Sequence, residues 1–447
     1  MISAERIARI VGGTLLRGDG ATPSRAIHDS RLVHPGDLFV ALPGRRADGH
    51  DHLEEAFARG ACAAFVSRSK PIPSGSRNLI VVPDTLSALQ TWAAAWRGES
   101  GATLVGITGT NGKTTVKQLL GHLLAADATC YVAPHNYNTE IGLPLSLLEM
   151  PAGSAFGVFE LGADRPGDIA ALMRILRPTW GLITSIGPGH LEGLGSLEAA
   201  VEEKSALLDG LPSDGVAVLP AESTLLMRRA ATARCNVLTV GRTRGDVRGR
   251  VLHATPRLEI ELEEPQITLC CPLVGAHHAT NVLLACAAAH AMGTPWEVIR
   301  ERTGTFPLPP HRLERIATPT ATLLDDTYNA NPASAEGALR VLAEIEPAAP
   351  LRVFVFGEMR GLGTETSRYH REILDLALSL PIDLILPVGE AAVDACRDVV
   401  SPAVVLMPDR ARLLQRLRSL PKNAVVLIKG SRALGLEALV DDLTASS

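Results

Sequence analysis

The stretch GITGTNGKTT at Gly106–Thr115 limits the fold more than any other part of the chain. It is preceded by ATLVGI, an unbroken apolar run that reads as a buried strand. It is followed by Val116, Leu119, Leu120, Leu123 and Leu124, whose spacing draws one apolar face of a helix. Strand, glycine loop and helix in that order make a phosphate-binding turn. The common pattern G-x-x-x-x-G-K-[ST] wants a glycine at position 107, where Ile107 stands; the glycines here, Gly109 and Gly112, are three apart. Both let backbone N–H groups turn inward around phosphate oxygens, with Thr110 and Asn111 between them. Lys113 supplies a point charge for the β- and γ-phosphates, and Thr114 a hydroxyl for Mg2+. The helix start, Thr114 to Val116 with Thr115 between, adds a dipole and free N–H groups. The plainer alternative is a tight turn whose lysine is merely solvated. G-K-T-T between a strand and an amphipathic helix favours a nucleotide.

The chain has 447 residues, too many for one core, and its length suggests roughly two to four domains. Residues 1–83 read as a small α/β unit, with strand-like GDLFVAL and ACAAFV around the helical HDHLEEAFARGA, closed by Gly60. Residues 84–310 hold the loop and the further strand-like runs AFGVFEL, WGLITSI and GVAVLP, separated by helical stretches. That alternation predicts a parallel sheet covered by helices. Beyond the proline-rich FPLPPHR, residues 311–447 restart it with ATLLDD, RVFVFG, DLILPVG, AVVLMP and AVVLIKG, a separate doubly wound, Rossmann-like domain. The fold class is therefore α/β in three domains: a small first one, a central P-loop ATPase-like parallel sheet and a C-terminal Rossmann-like sheet.

The net charge of −5 and the lack of a basic run argue against nucleic acid as a partner. The N-terminal MISAERIARIVGG alternates charged and apolar residues, unlike a signal peptide, and no apolar run is long enough to span a bilayer. The seven cysteines form no C-x-x-C. A monomer in a reducing cytoplasm, not inserted in a membrane, is expected.

Ligands of open α/β sheets bind outside the carboxyl ends of the strands. Glu160 closes FGVFE, and His190 follows GLITSI in GPGH, so both can join the loop in one crevice as Mg2+ ligands. Singly, Glu160 could be a solvated strand end and His190 a turn residue. SLEAAVEEKSALLDG reads as a helix with Ser196 as N-cap and Gly210 past its end. Its stripe runs Leu197, Val201, Lys204, Leu208, so Lys204 faces inward while Glu202 and Glu203 lie on other faces. A buried ammonium is costly unless paired or altered. Lys204 either snorkels at the edge of the stripe or is modified to an anionic carbamate able to hold metal. Asn281, near the start of an alanine-rich helix, could read an adenine edge or cap the helix. Arg312 and the pair Asp325 and Asp326 could close over a nucleotide or form an inter-domain salt bridge.

These residues resemble the Mur ligases, ATP-dependent amide-forming enzymes of peptidoglycan synthesis, over essentially the whole chain. The likeness lies in DSRLVHPGDLFVALPGRRADGHDHLEEAFARGA, GITGTNGKTT, HNYNTEIGLPLS, ELGAD, GPGHLEGLGSLEAAVEEKSAL, GAHHATNVLLACAAA, HRLE, LLDDTYNANP and IKGSR. The three-apart glycines are that family's form of the loop. YNANP, in place of the D-N-P-R of a diaminopimelate-adding relative, implies addition of D-alanyl-D-alanine to UDP-N-acetylmuramoyl-tripeptide, the two expected partners. The first domain would then hold the uridine nucleotide. A folate ligase of the same superfamily has no need of such a domain; a nucleotide-gated switch is the other rival. The resemblance implies Lys113 and Thr114 on ATP phosphate and Mg2+, Glu160 on a first Mg2+, and His190 with carbamylated Lys204 on a second. It implies adenine at Asn281 and the nucleotide at Arg312 and Asp326. Asn138 and Thr139 would face the UDP-linked substrate, and Ser30 and Arg31 the uridine nucleotide. Tyr328, Asn329, Asn331 and Ser431 would lie near the dipeptide. The chain departs from the family's usual residues at Thr139, at Glu358 and at Gly361.

Overall fold

The computed structural model describes residues 2–44, 47–70, 78–134, 136–189 and 191–445. Three sheets follow one another along the chain. In the first, the strands are ordered Thr14–Leu16, Asn78–Val82, Ala63–Ser67, Leu38–Val40, Ala26–Ile27, all parallel except the first. Its two faces are buried separately, one under Ile7, Leu89 and Trp92, the other under Leu53 and Ala56. HDHLEEAFARGA forms a 3-10 turn, Gly49–His52, then the helix Leu53–Ala58. Gly60 takes φ +107 after it, a conformation that suits glycine.

The middle sheet has nine strands. Cys130–Val132, Phe156–Glu160, Thr103–Thr108, Trp180–Ile183, Val216–Pro220 and Asn236–Gly241 run parallel and adjacent. Alternation along Thr103–Thr108 sends Val105 and Ile107 to one face and Leu104 to the other. The first face is covered by the helices Lys113–Leu124 and Ala279–Ala291, the second by Gly142–Glu149, Asp168–Leu176 and Leu197–Gly210. Sequence periodicity did not single out the antiparallel extension Val247–His253, Leu258–Leu262, Thr268–Cys271. Its strands bury single residues between half-buried or exposed ones, as an edge ribbon does.

The last sheet is ordered Glu314–Ala317, Ala321–Asp326, Ala424–Lys429, Arg352–Gly357, Leu384–Val388. Only Glu314–Ala317 is antiparallel. This edge strand was not foreseen, and AVVLMP is not a strand: it makes a single bridge, Ile385 with Val404, before Asp409 caps the next helix. Among the described residues no helix is long and apolar enough to cross a membrane. All seven cysteines are unpaired.

Candidate active site

The spacing of the loop glycines has a steric cause. Ile107 is fully buried inside the sheet, paired with Glu160 and Leu182, so the position where the common pattern wants glycine belongs to the strand. The turn begins at Gly109, φ +141, where a Cβ would lie 2.0 Å from Thr184 Oγ1. It ends at Gly112, φ +83, where a Cβ would lie 2.2 Å from Asn281 Oδ1. The loop is also tied to the next strand's end. Thr110 N–H donates to the Ser185 carbonyl (2.9 Å), Asn111 N–H to Ser185 Oγ (2.9 Å), and Thr184 Oγ1 to the Asn111 carbonyl (2.5 Å). Thr184 and Ser185 were not singled out from sequence. Lys113 is not a solvated lysine. Its ammonium folds back over the loop, donating to the carbonyls of Gly109 (2.7 Å) and Thr110 (3.4 Å). Burial pushes its pKa down, opposed by Glu160 and reinforced by Arg312. The helix Lys113–Leu124 starts at Gly112 with no side-chain cap, so its first N–H groups are not claimed by one.

Glu160 is buried beside the loop, 3% exposed. Its Oε1 forms an ion pair with the ammonium of the fully buried Lys117 at 3.2 Å, and among the described residues that oxygen accepts no well-aligned hydrogen bond. Lys117 donates to the Ala133 carbonyl at 2.6 Å. Lys117 was missed, although the row Lys113, Lys117, Leu120, Leu124 points it inward by the reasoning applied to Lys204. The inward orientation expected for Lys204 is observed: it is 2% exposed on the helix Leu197–Gly210, capped by Ser196. Gly210 is the last residue of that helix, not one past it. Among the described residues no hydrogen bond or ion pair reaches the Lys204 ammonium. Burial lowers its pKa to about 8, helped by Lys113 and opposed by Glu203 and Asp164. Glu203, on another face of the helix, is itself buried and accepts from the N–H groups of Gly167 and Ile169, both 2.6 Å. It thereby caps the neighbouring helix Asp168–Leu176 from outside. His190 lies outside the described residues.

The last sheet reaches the loop through two side chains. Arg312 Nη2 donates to Thr114 Oγ1 at 2.8 Å, its guanidinium 4.0 Å from the centre of the Tyr328 ring. Asn111 and Asn331 exchange hydrogen bonds, 3.2 and 2.5 Å, while Asn331 also caps the helix Pro332–Glu344. Asn281 lies against Gly112, its amide 3.4 Å from His278 Nδ1. Asp326 pairs with the buried Lys429, 2.6 Å, whose ammonium also donates to the Asn329 carbonyl at 2.9 Å. Ser431 Oγ accepts from Arg360 N–H at 2.8 Å. Asn138 packs against Gly162, two residues past Glu160, and Thr139 Oγ1 accepts from Gly142 N–H. In the first sheet's unit, Ser30 Oγ donates to Glu55 (2.8 Å). The exposed Arg31 pairs with Asp29, holding that carboxyl down at about 2.

Residues 107–289 match the Mur ligase middle domain, 311–432 the Mur ligase, glutamate ligase domain, and 27–97 the Mur ligase family, catalytic domain. The chain belongs to the Mur ligase family. This Mur ligase is 31% identical to the UDP-N-acetylmuramoyl-tripeptide–D-alanyl-D-alanine ligase of Bacillus subtilis, covering 99% of this chain and 98% of that one. It is also 31% identical to the ligase of that name from Escherichia coli, covering 98% and 97%. Its fold superimposes on MurF of Acinetobacter baumannii with a TM-score of 0.88, at 28% identity over 99% of each chain. The MurF ligase of Thermotoga maritima in complex with ADP gives 0.83, at 28% identity over 94% and 97%.

Proposed function

We propose that the chain is an ATP-dependent ligase that joins D-alanyl-D-alanine to UDP-N-acetylmuramoyl-tripeptide, releasing ADP and phosphate. One observation carries the reading beyond a nucleotide switch: Arg312 and Asn331 of the last unit reach the phosphate loop itself. A group bound on the last sheet would therefore meet the γ-phosphate. Divided near residues 83 and 310, the chain gives each of three reactants its own unit.

The tripeptide's terminal carboxylate attacks the γ-phosphorus, the bond to ADP breaks, and an acyl phosphate forms. The dipeptide amine attacks the acyl carbon, loses a proton, and phosphate leaves. Lys113 and Arg312 are the cations beside the loop that offset charge in the transferred group. Glu160, whose buried Oε1 makes no hydrogen bond among the described residues beyond its ion pair with Lys117, and Thr114 offer the hard oxygen donors that Mg2+ prefers. Bound there, Mg2+ would offset phosphate charge. Lys204 fits a carbamate: it is buried, lacks a partner among the described residues, and at a pKa of about 8 holds a fraction of neutral amine able to add CO2. With His190 it would serve a second Mg2+. Adenine lies by Asn281, and the nucleotide also meets Asp326. Asn138, Thr139, Ser30 and Arg31 serve the UDP-linked substrate, while Tyr328, Asn329, Asn331 and Ser431 serve the dipeptide. The proposed reaction, drawing on ATP, belongs to the cytoplasm.

The acyl phosphate is tested with tripeptide labelled by 18O in its terminal carboxylate. Released phosphate should carry one labelled oxygen from each turnover. Unlabelled phosphate accompanying amide formation would exclude this route.

A further inference from the structure

Arg312 meets the phosphate loop from a strained turn. Its neighbours His311 and Leu313 both have left-handed backbones, φ +59 and +56, a region that side chains other than glycine and asparagine seldom enter. Such a conformation persists only where its surroundings over-determine it. Three contacts do so here. His311 Nδ1 lies 2.7 Å from Asp325 Oδ2, His311 N–H donates to Glu314 Oε2 at 3.2 Å, and the His311 carbonyl accepts from Tyr328 N–H at 3.1 Å. Asp325 is fully buried within the strand Ala321–Asp326. Its other oxygen accepts from the N–H and hydroxyl of Thr327, 3.1 and 2.7 Å. The imidazole is thus anchored to the sheet through a carboxylate that cannot turn away.

We propose that His311 and Asp325 are positioning residues: their pair fixes the left-handed turn that carries Arg312 to the phosphate loop. The guanidinium then stands ready over Tyr328, 2.8 Å from the Thr114 hydroxyl, before a nucleotide arrives. The proposal rests on the ATP reading of the loop and not on which amine accepts the acyl group. One ring nitrogen of His311 and one carboxylate oxygen each of Glu314 and Asp325 lie within 4.8 Å of one another. The bonds above already engage all three side chains, which suits a built turn.

The test compares His311→Ala with His311→Asn in the full chain. Alanine removes the imidazole and resists the left-handed backbone; asparagine tolerates it and keeps a donor of similar reach. Binding of a non-hydrolysable ATP analogue with Mg2+ is measured by calorimetry, with the thermal midpoint recorded alongside. His311→Ala should bind about tenfold more weakly while folded, and His311→Asn should stay within about threefold of the parent. In an Arg312→Ala background, His311→Ala should add less than about twofold, because both act through one guanidinium. If His311→Ala does not fold, Asp325→Asn is read in the same way. Undiminished affinity in His311→Ala, or a loss that multiplies in full onto Arg312→Ala, would overturn the proposal. Failure of the parent chain to bind the analogue would overturn it together with the ATP reading. The expected pattern in a chain that forms no amide would uphold the positioning and sink the ligase alone.

Discussion

Two buried lysines frame the chemistry at the scale of single residues. Lys117 has a carboxylate within 3.2 Å and a carbonyl at 2.6 Å, whereas Lys204 has neither among the described residues. Lowering the Lys204 pKa from 10.5 to about 8 costs about 3 kcal/mol at neutral pH. Between those two values the unfolded chain holds more proton than the folded one, so this contribution to stability rises with pH across that window. Without CO2, Lys204→Met should be the more stable protein at pH 7, and its advantage should shrink towards pH 10.5. Added bicarbonate should raise the thermal midpoint of the parent and leave Lys204→Met unmoved. A pH-independent gap would show that Lys204 is not buried as a free amine. Lys117→Met leaves Glu160 unpaired and should cost roughly 3–5 kcal/mol by urea denaturation, with much of it regained in Lys117→Met/Glu160→Gln. Both lysines were legible as inward positions on a helical stripe. What each meets there was not, because the Ala133 carbonyl and Glu160 come from other elements.

Elements carry the link between the loop and the last unit. Asn331 begins the helix Pro332–Glu344 with a full capping box and also pairs with Asn111. Asn331→Ala should therefore lose about 1 kcal/mol of cap stability that Asn111→Ala keeps, measured by denaturant midpoint. Both should weaken the contact between the last unit and the loop to a similar degree, read by protection of the loop from hydrogen exchange. Equal stabilities for the two variants would contradict the cap. The phosphate loop was readable from local sequence because strand, glycines and helix adjoin. AVVLMP misled because an apolar run says nothing of whether a partner strand is free: Val404 meets one residue of Leu384–Val388 and the chain then turns at Pro408. The strand Glu314–Ala317 was hidden because it lies at the edge and buries none of its residues fully.

At the scale of the whole molecule, three sheets in series put one unit on either side of the phosphate loop in chain order, and the last one touches it. Their order followed from hydrophobic alternation; the contacts between them did not, since Arg312 and Thr114 are far apart in sequence. Gly112→Ala tests whether the loop governs the rest. Its φ of +83 and the 2.2 Å approach to Asn281 leave no room for a methyl group, so nucleotide binding should fall at least about tenfold while the fold persists. The most direct measurement is phosphate release from ATP and Mg2+, with UDP-N-acetylmuramoyl-tripeptide and D-alanyl-D-alanine supplied singly and then together. Release only with both, matched by a pentapeptide product by mass, is the predicted result. Release with ATP alone, unchanged by either substrate, would contradict the ligase and leave a nucleotide switch.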